Sequence, residues 1–209
     1  MIRIICFFGG IKMLATVSYN RERAVEYAQK WALSRNPLFF DFTGGGGNCT
    51  NFASQCLLAG SLTMYEAQPF GWYYRSVTDR APAWTGVNEF YEFMCGRGDF
   101  EPVGTRRGPF AEEVTRERAQ IGDIVQLADR RGSFYHTLVV TGFSESGDIL
   151  ICAQSNDALN RPLSSYNYAA ARFLHVLGVN IEVLDAAEKY AGLLDGSTLP
   201  PPDTVYLPE

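Results

Sequence analysis

The sequence predicts an α+β domain in which N-terminal helices pack on an antiparallel sheet. Two observations predict it: apolar residues recur at helical spacing before about residue 94, and short apolar runs separated by polar turns fill the chain after residue 120. A third observation, a glycine run leading directly into a helix that opens on a cysteine, marks where chemistry is expected.

The first helix begins after Tyr19, with Asn20 as N-cap, Arg21 and Glu22 in the first turn, and Val25, Ala28, Trp31 and Ala32 at helical spacing. Asn36-Pro37 stops it, because proline disfavours the helical conformation in the residue before it. After Leu38-Phe39-Phe40 come Gly44-Gly45-Gly46-Gly47 and then Asn48-Cys49-Thr50-Asn51-Phe52-Ala53-Ser54-Gln55-Cys56-Leu57. Phe52, Ala53, Cys56 and Leu57 share one helical face, and Gly60 suits the position just past the helix end. Residues 61–84 are aromatic-rich and read as irregular, with a second helix at about 87–94 and a glycine- and charge-rich connection over 96–109.

The later half predicts strands at 124–127, 137–143, 149–153 and 172–179, the middle pair forming a hairpin around Ser144-Glu145-Ser146-Gly147-Asp148. A short helix is expected over 182–193. Residues 1–18 read as an N-terminal extension outside a domain spanning 19–193, with a loose tail over 194–209. Within the extension, Lys12 interrupts the apolar run after Arg3 before it reaches signal-peptide length, no small-residue cleavage site follows, and Met13 offers an alternative start.

Composition excludes several classes. At 209 residues, 46% hydrophobic and 20% charged, the chain is long enough to bury a substantial core. A net charge of −5 with no basic stripe argues against a nucleic-acid partner, and no apolar run reaches the length of a membrane span. The five cysteines, Cys6, Cys49, Cys56, Cys95 and Cys152, form neither CxxC pairs nor a dense disulfide pattern. With two histidines, neither beside a cysteine pair, no zinc site or other metal or cofactor is expected. Cys56 and Cys152 read as small buried apolar residues.

Cys49 reads differently. A thiol at a helix start meets the positive end of the helix dipole, which favours thiolate, and the neighbouring N–H groups can receive an oxyanion. The base that such a nucleophile needs is expected from His136, at the start of a strand. Hairpin arithmetic puts position 136 opposite 156, with Gln154 and Asn156 on the histidine's face and Ser155 turned away, so either amide can orient the ring. His175 is the rival base, but its apolar strand favours packing. The aromatics around Trp72 and Trp84 are expected mainly in the core, with a cleft wall as the alternative.

These residues carry a resemblance. Gly47-Asn48-Cys49-Thr50-Asn51-Phe52-Ala53-Ser54-Gln55, Trp84-Thr85-Gly86, Ile121-Gly122-Asp123, Tyr135-His136 and Ser155-Asn156-Asp157 through Asn160-Arg161-Pro162-Leu163-Ser164 resemble the putative amidase domain family found mainly in Gram-positive bacteria. That family looks like the NlpC-type and CHAP cell-wall hydrolases. The resemblance implies a papain-like cysteine hydrolase core, with Cys49 as nucleophile, His136 as base, Gln154 as third residue and peptide or peptidoglycan-fragment substrates. The sequence departs from the pattern twice: Asn48 stands where aspartate is common, and Gln154 where histidine is common. An acyltransferase using the same acyl-enzyme and a binding module that has lost turnover remain open beside the hydrolase.

Overall fold

The computed structural model describes residues 13–183, 191 and 193–197, and all that follows concerns these residues. The expectations for residues 1–12 and for most of the C-terminal helix and tail lie outside them. Four helices, α1 (Arg21–Trp31), α2 (Cys49–Ser61), α3 (Pro82–Thr85) and α4 (Val87–Cys95), accompany seven strands. The strands are β1 (Met13–Val17), β2 (Gly108–Val114), β3 (Ile124–Ala128), β4 (Phe134–Phe143), β5 (Ile149–Ala153), β6 (Ala158–Pro162) and β7 (Ala170–Val183).

All pairings are antiparallel, in the order β1-β7-β3-β4-β5-β6, with β2 also on β7. β2 overlaps both β3 and β1 in the stretch of β7 it pairs with, so it takes one edge of β7 while β3 and β1 follow each other along the other. The α+β class and the central hairpin are as expected. β1, β2, β6 and α3 were not: β1 falls inside the expected extension, β2 opens inside the expected connection, β6 lies where no strand is expected, and α3 falls at the end of the segment that reads as irregular. Met13–Val17 therefore belongs to the sheet, paired along β7 from Val179 to Val183.

Period-two alternation divides the core between the two sheet faces. Ile124, Val139, Cys152 and Leu174 face the helices and join Phe52, Cys56, Leu57, Trp72, Trp84, Phe90 and Phe93. Val125, Leu127, Leu138, Val140, Ile151 and Ala153 face the other way, onto Leu163 and Phe173. Trp72 and Trp84 are fully buried, their ring centroids 4.9 Å apart, so both belong to the core and not to a cleft wall.

α1 is capped as expected, Asn20 Oδ1 accepting from the Arg23 N–H at 2.9 Å, although its buried stripe runs through Ala24 and Ala28 instead of Val25. α2 passes Gly60 and ends at Ser61, with Leu62 taking the left-handed turn at φ 51°. Gly60 is required for another reason: a Cβ there would lie 2.3 Å from the Tyr19 ring and 2.8 Å from the Asn20 carbonyl. The absent side chain lets the entry to α1 lie against α2, and the Asn20 N–H donates to the Gly60 carbonyl at 3.0 Å.

Because β1 is fixed to β7 along its length and Thr16 Oγ1 donates to Asn180 Oδ1 at 2.8 Å, two truncations should differ. A chain starting at Met13 is expected to melt with the full-length protein. One starting at Ser18 loses the strand and should melt lower by about 5 °C, the effect of one to two kcal/mol in a domain of this size. Thermal unfolding of the three chains checks this, and equal melting of all three would mean β1 contributes nothing.

Candidate active site

The site is assembled at the start of α2. Its approach is tight: the Gly45 and Gly47 N–H groups both donate to the Phe42 carbonyl, at 2.9 and 3.1 Å, and Gly46 and Gly47 take φ of +118° and +107°. Those angles lie in the left-handed region that side chains avoid, which is why the run is glycine here. Asn48 follows, 1% exposed, and acts as a junction. Its Oδ1 accepts from the Phe42 N–H at 3.0 Å and from Asn51 Nδ2 at 2.8 Å, while its Nδ2 donates to Gln154 Oε1. The Asn48 N–H donates to Ser155 Oγ. The Cys49 N–H, the first of the helix, has no partner among the described residues, as expected of a donor in the first turn.

One residue beyond Cys49, Thr50 Oγ1 meets Thr137 Oγ1 at 2.9 Å, one residue beyond His136. This buried hydroxyl pair ties the start of α2 to the start of β4. Cys49 and His136 accordingly line one cleft of about 590 Å³, together with Gly46, Gly47, Asn156 and Tyr166. Cys49 Sγ lies 3.8 Å from Thr50 Oγ1. Among the described residues no hydrogen bond joins Cys49 to His136, and catalytic bonds are often long before substrate arrives.

His136 is 6% exposed, and burial pushes its pKa down to about 4, so the ring is neutral at pH 7. Its plane is set by aromatic neighbours: Tyr135 stacks at 6.2 Å and 7°, and Tyr166 lies at 6.0 Å and 39°. The ring Nε2 and the Tyr166 hydroxyl are both buried without a hydrogen-bond partner among the described residues.

Neither expected amide orients that ring. Gln154 accepts from Asn48 and donates to the carbonyls of Trp31 and Ser34 at 2.7 and 2.8 Å, which uses both amide hydrogens at the end of α1 and turns the oxygen to Asn48. The cause is a bulge in β4: Val140 pairs with Ile151 but Gly142 with Leu150, leaving Thr141 extra. The register shifts by one, so continuing from Val139↔Cys152 puts position 136 opposite 155 and Thr137 opposite 154. Gln154 therefore faces the helices, and the expectation that it shares His136's face is corrected. Asn156 is exposed in the cleft and likewise makes no hydrogen bond to His136 among the described residues.

His175 is not the apolar packing residue its strand implied. Its Nδ1 lies 2.8 Å from Asp123 Oδ2, and Arg21 bridges Asp123 at 2.6 Å to the Val176 carbonyl at 2.6 Å. The cluster ties α1 to β7. Ser155, expected to turn away, is the contributor that sequence reasoning missed. At φ 84°, unusual for a non-glycine residue, it presents Oγ to the Asn48 N–H. Its place in the Ser155-Asn156-Asp157 motif was the available signal. Asp157 is bound by Arg35 through two contacts of 3.0 Å, which holds that turn against the segment after α1. Among the described residues, no three His, Cys, Asp or Glu side chains gather as a metal would require, and no helix is long and apolar enough to cross a membrane.

An α+β domain with a cysteine at a buried helix start and a neutral histidine in the same cleft has the parts of a thiol-dependent acyl-transfer site. Residues 18–177 match the family described as Putative amidase domain, which covers more than half of the chain, and the chain belongs to that family. Membership points, at that coarse level, to amide hydrolysis. The chain is 29% identical over 147 residues to "Uncharacterized protein YhbB" of Bacillus subtilis (strain 168), across 68% of this chain and 43% of that protein. It thus spans under half the length of that relative. No solved structure matches at a significant level.

Two predictions follow from the buried groups. Thr50→Val removes the hydroxyl pair while Thr137 keeps Gln126 Nε2 at 3.2 Å, so a loss of about 1 kcal/mol and a fall in Tm of about 3 °C are expected. For His136 the folded pKa lies below the unfolded value near 6.5. The unfolded chain therefore binds the extra proton between about pH 6.5 and 4, and stability present above that window is lost as pH falls through it. Urea unfolding at pH 7 and 4.5 should show wild type losing about 2 to 3 kcal/mol more than His136→Gln. Parallel losses would mean His136 is not held neutral by burial.

Proposed function

We propose that this domain is a cysteine-dependent amide hydrolase in which Cys49 is the nucleophile and His136 the base. The observation that carries the reading is that both residues line one cleft, Cys49 at the first position of a buried helix whose leading N–H is free. In this mechanism the sulfur attacks the amide carbonyl as neutral His136 takes the thiol proton. The Cys49 N–H stabilises the oxyanion. The C–N bond then breaks, His136 returns the proton to the leaving amine, and a thioester remains on Cys49. Water, deprotonated by His136, attacks the thioester, releasing the acid product and restoring the thiol.

Gln154 enters this proposal as a positioning residue acting on Asn48, and through it on the helix start, instead of on His136. The two departures from the family pattern thus become one compensated change. Asn48 Nδ2 needs an acceptor and finds Gln154 Oε1, whereas an aspartate at 48 would set two oxygens against each other. A papain-like relation to the NlpC-type and CHAP hydrolases, with peptidoglycan stem peptides as substrates, belongs to the same proposal. So does the assignment of the activity to the domain expected over 19–193, extended by β1.

A second reading, a binding module without turnover, draws on His136 having no hydrogen-bonded orienter among the described residues. Thiol reactivity separates the two. Burial raises Cys95 to about 11 and also raises Cys56 and Cys152, so these thiols should be slow at neutral pH. Limiting iodoacetamide at pH 7.5, followed by peptide mapping, is expected to label Cys49 first, and His136→Gln should slow that labelling about tenfold or more. Labelling of Cys95 ahead of Cys49 would favour the binding module. With stem peptides, Cys49→Ser should abolish amine release, and an added amine appearing in the product would identify an acyltransferase.

A further inference from the structure

The cleft that holds Cys49 carries one fixed charge. Among the residues lining it, Arg161 is the sole charged side chain, since His136 is neutral at pH 7 and the others are glycine, serine, asparagine, tyrosine and cysteine. This cation stands in a chain of net charge −5, against the average field of the protein. No carboxylate among the lining residues neutralises it.

Arg161 is also held in place. Its guanidinium lies over the Tyr166 ring at 4.2 Å from the centroid. Nε donates to Ser165 Oγ at 2.8 Å and Nη2 to the Ser165 carbonyl at 3.1 Å. Ser165 is itself fixed, its Oγ donating to the Pro162 carbonyl at 2.6 Å. Both of these hydrogen bonds go to one residue, and both acceptors are neutral, as is the Tyr166 ring beneath. Nη1 has no partner among the described residues, and Nη2 keeps a second hydrogen. The Nη1–Nη2 edge is thus a planar pair of donors, held by stacking and by two tethers, with no anion of the protein to receive it. Such an edge matches a carboxylate in bidentate geometry, and fixing it beforehand lowers the entropy lost on binding.

We propose that Arg161 determines specificity by binding a carboxylate of the substrate, so that the domain acts on acidic peptides carrying that group beside the scissile amide. This rests on the hydrolase reading above. It goes further by giving the substrate a charge that neither Cys49 nor His136 requires.

Two alkylating probes of Cys49 test it without a known substrate. Iodoacetate and iodoacetamide transfer nearly isosteric groups to the thiol with loss of iodide, and they differ in charge. The ratio of their rates at Cys49 cancels any change in the thiol itself. Arg161→Gln should lower the iodoacetate-to-iodoacetamide ratio about threefold or more, the effect of losing the cleft's one unit charge. Arg161→Lys, which keeps the charge without the Ser165 tethers, should give a ratio above that of the glutamine variant. In wild type alone, 1 M potassium chloride should lower the ratio about threefold or more, because screening then acts over about 3 Å. This arm remains decisive if the variant folds poorly. A reactive Cys49 whose ratio neither Arg161→Gln nor salt alters would overturn the anchor and leave the hydrolase reading standing. An unreactive Cys49 would remove both.

Discussion

The site depends on how the polar residues of α2 are held. A helix buried over almost its whole first two turns would ordinarily be apolar all round, yet this one carries Thr50, Asn51, Ser54 and Gln55 inside the protein. Each is hydrogen-bonded to a residue outside the helix. Thr50 meets β4, and Asn51 accepts from Trp84 Nε1 at 2.8 Å and donates to the Phe40 carbonyl at 3.1 Å. Ser54 accepts from Trp72 Nε1 and donates to the Trp84 carbonyl, both at 3.0 Å. Gln55 accepts from Tyr27 at 2.9 Å. An unpaired polar group in such surroundings costs on the order of 1–3 kcal/mol, so sliding or rotating the helix would break several bonds together. The network therefore fixes the position of Cys49 more firmly than apolar packing alone.

The same arrangement explains why the two large indoles lie in the core, Trp72 from an irregular segment and Trp84 from the short α3. Trp72 and Trp84 each cap a polar residue of α2 and stack on Phe93 or Phe39 behind it, which satisfies the indole N–H while burying the ring. Their role in the site is support. The cleft itself is made by Tyr135 and Tyr166 around His136, residues from β4 and from the turn after β6. Aromatic contact, with no hydrogen bond from a side-chain amide, sets the plane of the imidazole. Burial then keeps that ring neutral at pH 7, the state a general base requires.

Asn48 and Gln154 show how a sequence pattern can vary without loss of order. Each departs from what the family resemblance implies, and each is the other's hydrogen-bond partner. With Ser155 receiving the Asn48 N–H, the turn after β5 reads the entire approach to the helix. All three hold the approach to Cys49, although none of them forms a hydrogen bond with it among the described residues.

Much of this was legible in the chain. Period-3.6 and period-2 patterns place α1, α2, α4 and the β4–β5 hairpin because each buries one face locally, and the cysteine after a glycine run stands out because few other local structures require that order. Three strands were not legible. β1 and β2 take their pairing from distant β7, and β6 is an exposed edge strand on β5, so their own residues show little alternation. The orienting role expected of Gln154 failed for a similar reason. Hairpin arithmetic assumes unbroken pairing, and the extra residue at Thr141 is a consequence of how β4 bends across the sheet. His175 looked apolar because its neighbours in sequence are apolar, while its partners Asp123 and Arg21 arrive from β3's leading turn and α1. By itself the sequence determined α1, α2 and α4, the hairpin and which thiol and imidazole to consider, since those follow from local periodicity and residue chemistry. Only the tertiary structure decided that Cys49 and His136 share a cleft, that Gln154 serves Asn48, and that Arg161 lines the same cleft, because each depends on how separate elements are brought together in space.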